Sequence, residues 1–102
     1  MVDHYSVVWD KNALEHLSEI YHHILKDSYQ NAQKVRLKIL EQTAQLKEEP
    51  WRHNADKLRL DKNPAFRAFE IYRFRITYYI NKDAKSVSIL RVRSTWQEPL
   101  LY

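Results

Sequence analysis

The spacing of apolar residues divides the chain in two. In the first half they recur at helical spacing, and in the second they alternate. Residues 4–9, HYSVVW, are β-branched and aromatic with Tyr5, Val7 and Trp9 on one side, which predicts a short strand. Asp10 is placed to cap a helix from Lys11 to about Asp27, with Leu14, Leu17, Ile20, Tyr21, Ile24 and Leu25 as its apolar stripe. A polar break at Ser28 to Asn31 offers a second cap. Ala32, Val35, Leu37, Ile39, Leu40 and Leu46 then carry a second helix until Pro50 stops it. The short connection predicts an antiparallel helical hairpin.

Residues 50–65 have no period; Asp61-Lys62-Asn63-Pro64 is a turn signal, and Lys57 to Leu60 is a candidate extended piece. Phe66 to Ile80 is too long for one strand and predicts two, joined by a tight turn near Tyr72-Arg73. Asn81 to Lys85 reads as a hairpin loop, Ser86 to Arg93 as a last strand, and STWQEPLLY as an irregular tail. The order β, α, α, β, β, β predicts an α+β domain over residues 1–102, with a small, mostly antiparallel sheet packed by one face on the hairpin.

Alternation places Phe74, Ile76, Tyr78 and Ile80 toward the helices and Arg75, Thr77 and Tyr79 away from them. In the last strand Leu90 and Val92 are expected inward, with Ile89, Arg91 and Arg93 outward. Arg67 alternates away from Phe66 and Ala68, so Arg67, Arg75, Arg91 and Arg93 are expected to line one open face, with Tyr79 as a stacking surface. Charge sharpens this picture. Residues 1–50 hold six Lys/Arg against eight Asp/Glu, whereas residues 51–102 hold eleven against five. The basic half suits an anionic partner, nucleic acid or acidic polypeptide; a solvated basic surface is the plainer alternative.

Composition removes whole classes of chemistry. Without cysteine there is no disulfide, thiol nucleophile or cysteine zinc site, and without glycine neither a P-loop nor a dinucleotide fingerprint is possible, so no nucleotide cofactor is expected. No metal is expected either, because His16, His22 and His23 lack the spacing that converges ligands. His53, beside Trp51 and Arg52, is the better acid–base candidate, against the plainer reading of a surface histidine. No apolar run spans a bilayer and the opening MVDHYSVVW has no basic leader, which predicts a cytoplasmic protein with no membrane partner.

The segments YSVVWDKNALEHLSEIYHHI, QNAQKVRLKILEQTAQL, FRAFEIYRFRITYYI and ILRVRSTWQEP together resemble the RelE/ParE family of type II toxin–antitoxin toxins, over nearly the whole chain. The resemblance implies a RelE/ParE-like β-α-α-β-β-β fold and an addiction-module or plasmid-stabilisation toxin that arrests growth. It also implies a cognate antitoxin, acidic and partly disordered, that binds in a hetero-oligomer. RelE-like members cleave mRNA on the ribosome without metal, blocking translation; ParE-like members poison DNA gyrase. For the ribonuclease branch the resemblance implies catalytic roles for Arg75 at the scissile phosphate, for Arg67 near a basic position of the preceding strand, and for Tyr102 near a terminal tyrosine. Arg73, Arg91, Arg93, Tyr79 and His53 are then candidates for target or antitoxin binding. The chain departs from the ribonuclease pattern where Ala68 and Phe69 replace a basic position and where Ser94-Thr95 follows the last strand. Losing one transition-state donor costs about 3 kcal/mol, so a binding module of the toxin fold, without catalysis, stands as the alternative.

Overall fold

The computed structural model describes residues 4–102. Strand β1 (Ser6–Trp9) leads into helix α1 (Lys11–Leu25), and a three-residue link leads to α2 (Tyr29–Ala44), which ends in a single 3-10 turn, Gln45–Lys47. Strands β2 (Phe66–Ile71), β3 (Phe74–Asn81) and β4 (Ser86–Ser94) follow in a meander. The sheet order is β1-β4-β3-β2. The β2–β3 and β3–β4 pairs are antiparallel, as the sequence predicts, but β1 lies parallel to β4, which makes the sheet mixed. A parallel neighbour needs a long connection, and here it runs through the helical hairpin, the loop after it and strands β2 and β3 before β4 returns beside β1.

Both helix starts follow from sequence, in different ways. Ser28 caps α2 by accepting from the Asn31 N–H at 3.1 Å. Asp10 holds the extended N-cap conformation but makes no side-chain cap bond. The stripe of α1 is rotated slightly from expectation: Ala13 and Leu17 are buried while Leu14 is half exposed. The core joins Ala13, Leu17, Ile39 and Leu46 of the helical layer to Ile71, Phe74, Ile76, Tyr78, Ile80, Val87, Ile89 and Val92 of the sheet. Each of the buried Val, Leu, Ile and Phe side chains contributes about 1.5–3 kcal/mol on leaving water.

A β-bulge corrects the expected phase of the last strand. Thr77 pairs with Arg91 but the next residue, Tyr78, pairs with Ile89, so Leu90 is the extra residue. Val87 and Ile89 therefore share the inner face with Val92, and Ile89, expected outward, is fully buried. Arg91 and Arg93 keep the outer face.

The turn at Tyr72-Arg73 and the loop before Ser86 are where alternation ends. With no glycine in the chain, Lys62, Tyr72 and Lys85 take left-handed backbone conformations, at φ 60°, 54° and 52°. The stretch 50–65 forms no strand; it is pinned to β2 by the Ala55–Arg67 bridge and to the core by the Tyr78 hydroxyl, which donates to the Pro50 carbonyl at 2.8 Å. No helix is long and apolar enough to cross a membrane among the described residues. The reading of a missing leader rests partly on residues 1–3, outside the described residues.

Candidate functional site

The outer face of the sheet carries the basic cluster. Cross-strand register sets Arg75 opposite Arg93 and Thr77 opposite Arg91, so three guanidinium groups crowd a small area and repel one another. The counter-ion comes from the irregular loop. The Asp56 side chain has no exposed surface, and its Oδ1 accepts from Arg75 Nη2 at 2.5 Å. The same carboxylate accepts from the Leu58 N–H at 3.0 Å and from the Tyr102 hydroxyl at 2.5 Å. Burial alone would raise the Asp56 pKa. The hydrogen bonds from Tyr102, Leu58 and Arg75, with the Arg75 charge, outweigh it and hold the carboxyl below its ordinary value. Glu70, across the strand from Arg75, stands 3.8 Å from its Nη1.

Tyr102 is brought into this cluster by the tail. Its N–H donates to the Leu58 carbonyl at 3.1 Å and its carbonyl accepts from the Leu60 N–H at 2.5 Å. Burial first, then the bond to Asp56 and the charge of that carboxylate, push the hydroxyl well above an ordinary tyrosine. At neutral pH it is a donor, not a base. Arg91 donates to the Leu100 carbonyl at 3.2 Å and lies 4.1 Å from the centre of the Tyr102 ring. Burial, ahead of the neighbouring charges, lowers its pKa, though an arginine stays charged regardless. Arg93 donates to the Glu98 carbonyl at 3.3 Å. The face expected to be open is thus crossed by residues 98–102. Tyr79, on the same face, packs on Phe66 with ring centres 4.8 Å apart. Arg73, at the β2–β3 turn, lies over the exposed Trp96 ring at 4.0 Å.

Two expected members stand elsewhere. Arg67 pairs with Tyr78 in the β2–β3 register, and cross-strand partners point to the same side. It therefore belongs to the helix side of the sheet, which corrects the expectation that it lines one face with Arg75. There it donates to the carbonyls of Pro64, Trp51 and His53, at 2.9, 3.3 and 2.6 Å, and covers the Trp51 ring. His53 lies on this side too, stacked on Phe69 at 4.0 Å and edge-on to Tyr78 at 6.2 Å. Burial, with Arg52 adding to it, lowers its pKa, which keeps the ring neutral at pH 7. The helix histidines diverge: His22 bonds the Ser18 carbonyl through Nδ1, while His16 Nδ1 accepts from the Val92 N–H at 3.3 Å. No group of three or more potential ligands converges among the described residues.

Sequence reasoning missed Asp56 and Arg59. Arg59 stacks over Phe66 at 3.8 Å and lies 5.0 Å from the Tyr102 ring centre. The only local trace of Asp56 is an Asx-type turn with Leu58, a signal that many surface loops share.

A second feature is a groove of about 830 Å³ where the helical hairpin diverges from the sheet. Ile20, Ile24, Val35, Phe74 and Val92 line it, together with Lys34, Arg73 and Arg93.

The family model described as the ParE toxin of the type II toxin–antitoxin system parDE matches residues 7–99. Solved structures share the fold. A chain of the chromosomal ParDE toxin–antitoxin system from P. aeruginosa is 23% identical with a TM-score of 0.68, over 90% of this chain and 97% of that one. A chain of the RelBE2 toxin–antitoxin complex from Mycobacterium tuberculosis is 22% identical with a TM-score of 0.67, over 92% and 93%. No curated protein matches this chain.

Proposed function

The chain belongs to the ParE toxin family of type II toxin–antitoxin systems, and from that premise we propose that it is a toxin that poisons DNA gyrase, docking through its basic sheet face rather than cleaving RNA there. The observation that carries this reading is the closure of Arg75 by Asp56. Metal-free phosphodiester cleavage needs a base, an acid and a free cation around one phosphate. Here the cation is paired internally, the Tyr102 hydroxyl donates to the same carboxylate, and His53 lies across the sheet. Arg91 and Arg93 spend only single, long bonds on backbone carbonyls, and with Arg73 they are the positive groups available for docking.

Neutralisation falls to a cognate antitoxin in a hetero-oligomer. The groove between hairpin and sheet suits the apolar face of an amphipathic segment, and Lys34, Arg73 and Arg93 suit its acidic residues along the part of the rim away from Glu19 and Asp27. Tightly controlled expression in growing cells tests the reading, with DNA breaks and mRNA ends mapped after induction and Arg91→Ala/Arg93→Ala alongside. Growth arrest with double-strand breaks and intact mRNA, relieved by the double substitution and by the co-expressed antitoxin, is the expected result. Transcripts cut within codons would move the chain to the ribonuclease branch. Good soluble expression without arrest would leave a binding module.

A further inference from the structure

Residues 98–102 cross the basic face instead of leaving it, and they are held there at several points. The Glu98 and Leu100 carbonyls take Arg93 and Arg91, the Tyr102 backbone bonds Leu58 and Leu60, the hydroxyl reaches Asp56, and the ring packs on Arg91. Between these points the fit is thin. A cleft of about 140 Å³ remains beneath the segment, between Lys57, Thr77 and the three arginines, and Arg75 Nε is buried there without a partner. Leu100 and Leu101 are 44% and 58% exposed, so the segment buries little apolar side chain against the sheet. A segment held by a few hydrogen bonds and ring contacts, with no apolar anchor but one tyrosine, has the make-up of a unit that opens locally while the rest stays folded.

We propose that residues 98–102 are an autoinhibitory strap: in the free chain they occupy Arg91 and Arg93, and an anionic target gains these arginines only when the strap lifts. Asp56 keeps Arg75 paired in both states, so the strap gates two cations and leaves the fold intact. The inference rests on the reading that the basic face meets the target, and it adds that the face is closed at rest.

The absence of cysteine allows a clean test. The two backbone bonds of Tyr102 flank Arg59, which sets these residues opposite each other as in a parallel ladder, about 4.8 Å apart. That is within disulfide reach. In the 102-residue Arg59→Cys/Tyr102→Cys chain, oxidation locks the strap down and reduction frees it, so each preparation is its own folding control. Phenylglyoxal labels accessible guanidinium groups, and peptide mass spectrometry gives the rate at each arginine.

Arg91 and Arg93 are expected to label about tenfold more slowly in the oxidised form, a factor equivalent to 1.4 kcal/mol. The wild type should fall near the oxidised form, and the exposed Arg36 should label alike throughout. With purified gyrase, the reduced form should inhibit supercoiling and the oxidised form should not. Equal labelling of Arg91 and Arg93 in the two redox states overturns the strap, as does equal inhibition. A reduced form that fails where the wild type inhibits makes Arg59 or Tyr102 a target contact and overturns it too. If even the wild type leaves gyrase untouched, the gyrase reading falls, and the labelling rates alone decide on the strap.

Discussion

Asp56→Ala is the substitution that bears hardest on the arrangement of the basic face. It removes a fully buried carboxylate that accepts three hydrogen bonds, and it leaves Arg75 beneath the tail without its counter-ion. Breaking a buried ion pair by deleting one partner costs about 3–5 kcal/mol. Arg75 keeps 19% of its side chain exposed and has Glu70 3.8 Å away. Part of its charge is therefore re-paired or hydrated, and the low end, about 3 kcal/mol, is the expected loss. For a chain of this size that lowers Tm by roughly 15 °C.

Removing both partners should cost less, because no buried charge is stranded. Asp56→Ala/Arg75→Met is thus expected to recover about half of the loss. Urea unfolding of the wild type and both variants at pH 7, 5 and 3 measures these differences. The folded-state pKa of Asp56 is depressed. Its contribution is therefore complete above the unfolded value, about 3.9, and is lost as pH falls below that through the folded value. The gap between wild type and Asp56→Ala should be constant from pH 7 to 5 and smaller at pH 3. A gap below about 1 kcal/mol at pH 7 would mean that water screens the pair as it does a surface salt bridge, and the closed description of the site would fail.

Other consequences are more local. Tyr78, fully buried, has its pKa raised to about 12, by burial above all; stability should fall by up to about 1.4 kcal/mol per pH unit from pH 10 toward 12. Tyr78→Phe, which strands the Pro50 carbonyl, should cost about 1–2 kcal/mol at pH 7 and make that alkaline slope shallower, leaving the part that Tyr102 contributes; a slope as steep as the wild type's would clear Tyr78 of the effect. Ile39→Ala on the buried face of α2 should cost about 2–5 kcal/mol, while Leu37→Ala on the exposed face should stay within about 0.5 kcal/mol in the same denaturant series. Lys62→Gly removes a left-handed strain at an exposed turn and should raise stability by about 0.5 kcal/mol once the flexibility of glycine in the unfolded chain is counted. A loss of stability there would show that the lysine side chain holds the turn.

Most of the fold was legible because each element declares itself over a short window. The spacing of Leu17, Ile20 and Ile24, the cap at Ser28, and the alternation of Phe74, Ile76, Tyr78 and Ile80 are local patterns that tertiary packing reinforces. Three features were not legible, and each depends on residues far apart in sequence. The parallel docking of β1 on β4 is set by where the hairpin returns the chain. The bulge at Leu90 is visible only against the register of β3, since LRVRS alternates equally well in either phase. The side taken by Arg67 follows from the number of residues in the Tyr72-Arg73 turn, which sets it across from Tyr78. The site was less legible than the fold for the same reason. Arg75, Arg91 and Arg93 were placed by alternation, but their counter-ion lies 19 residues from Arg75, in a stretch with no period.

The four arginines that alternation assigned to one surface end in three electrostatic settings, and the difference bears on function. Arg67 serves as a staple: its donors are spent on three carbonyls, and replacing it would loosen the loop 51–64 before it altered any surface field. Arg75 is neutralised by Asp56 and adds little to the potential that an approaching macromolecule senses. Arg91 and Arg93, on the outer face, are bonded to neutral carbonyls and to no carboxylate, and both lie beneath residues 98–102. The excess of eleven basic over five acidic residues in the second half of the chain therefore overstates what the sheet face presents at rest. Long-range attraction must come from cations at its rim, such as Arg73 and Lys57, while short-range recognition has to wait for the tail. Steering charges set the rate of encounter and buried, hydrogen-bonded charges set the lifetime of a complex. Substitution of Arg73 or Lys57 should then change how fast a target is met, and substitution of Arg91 or Arg93 how long it is held.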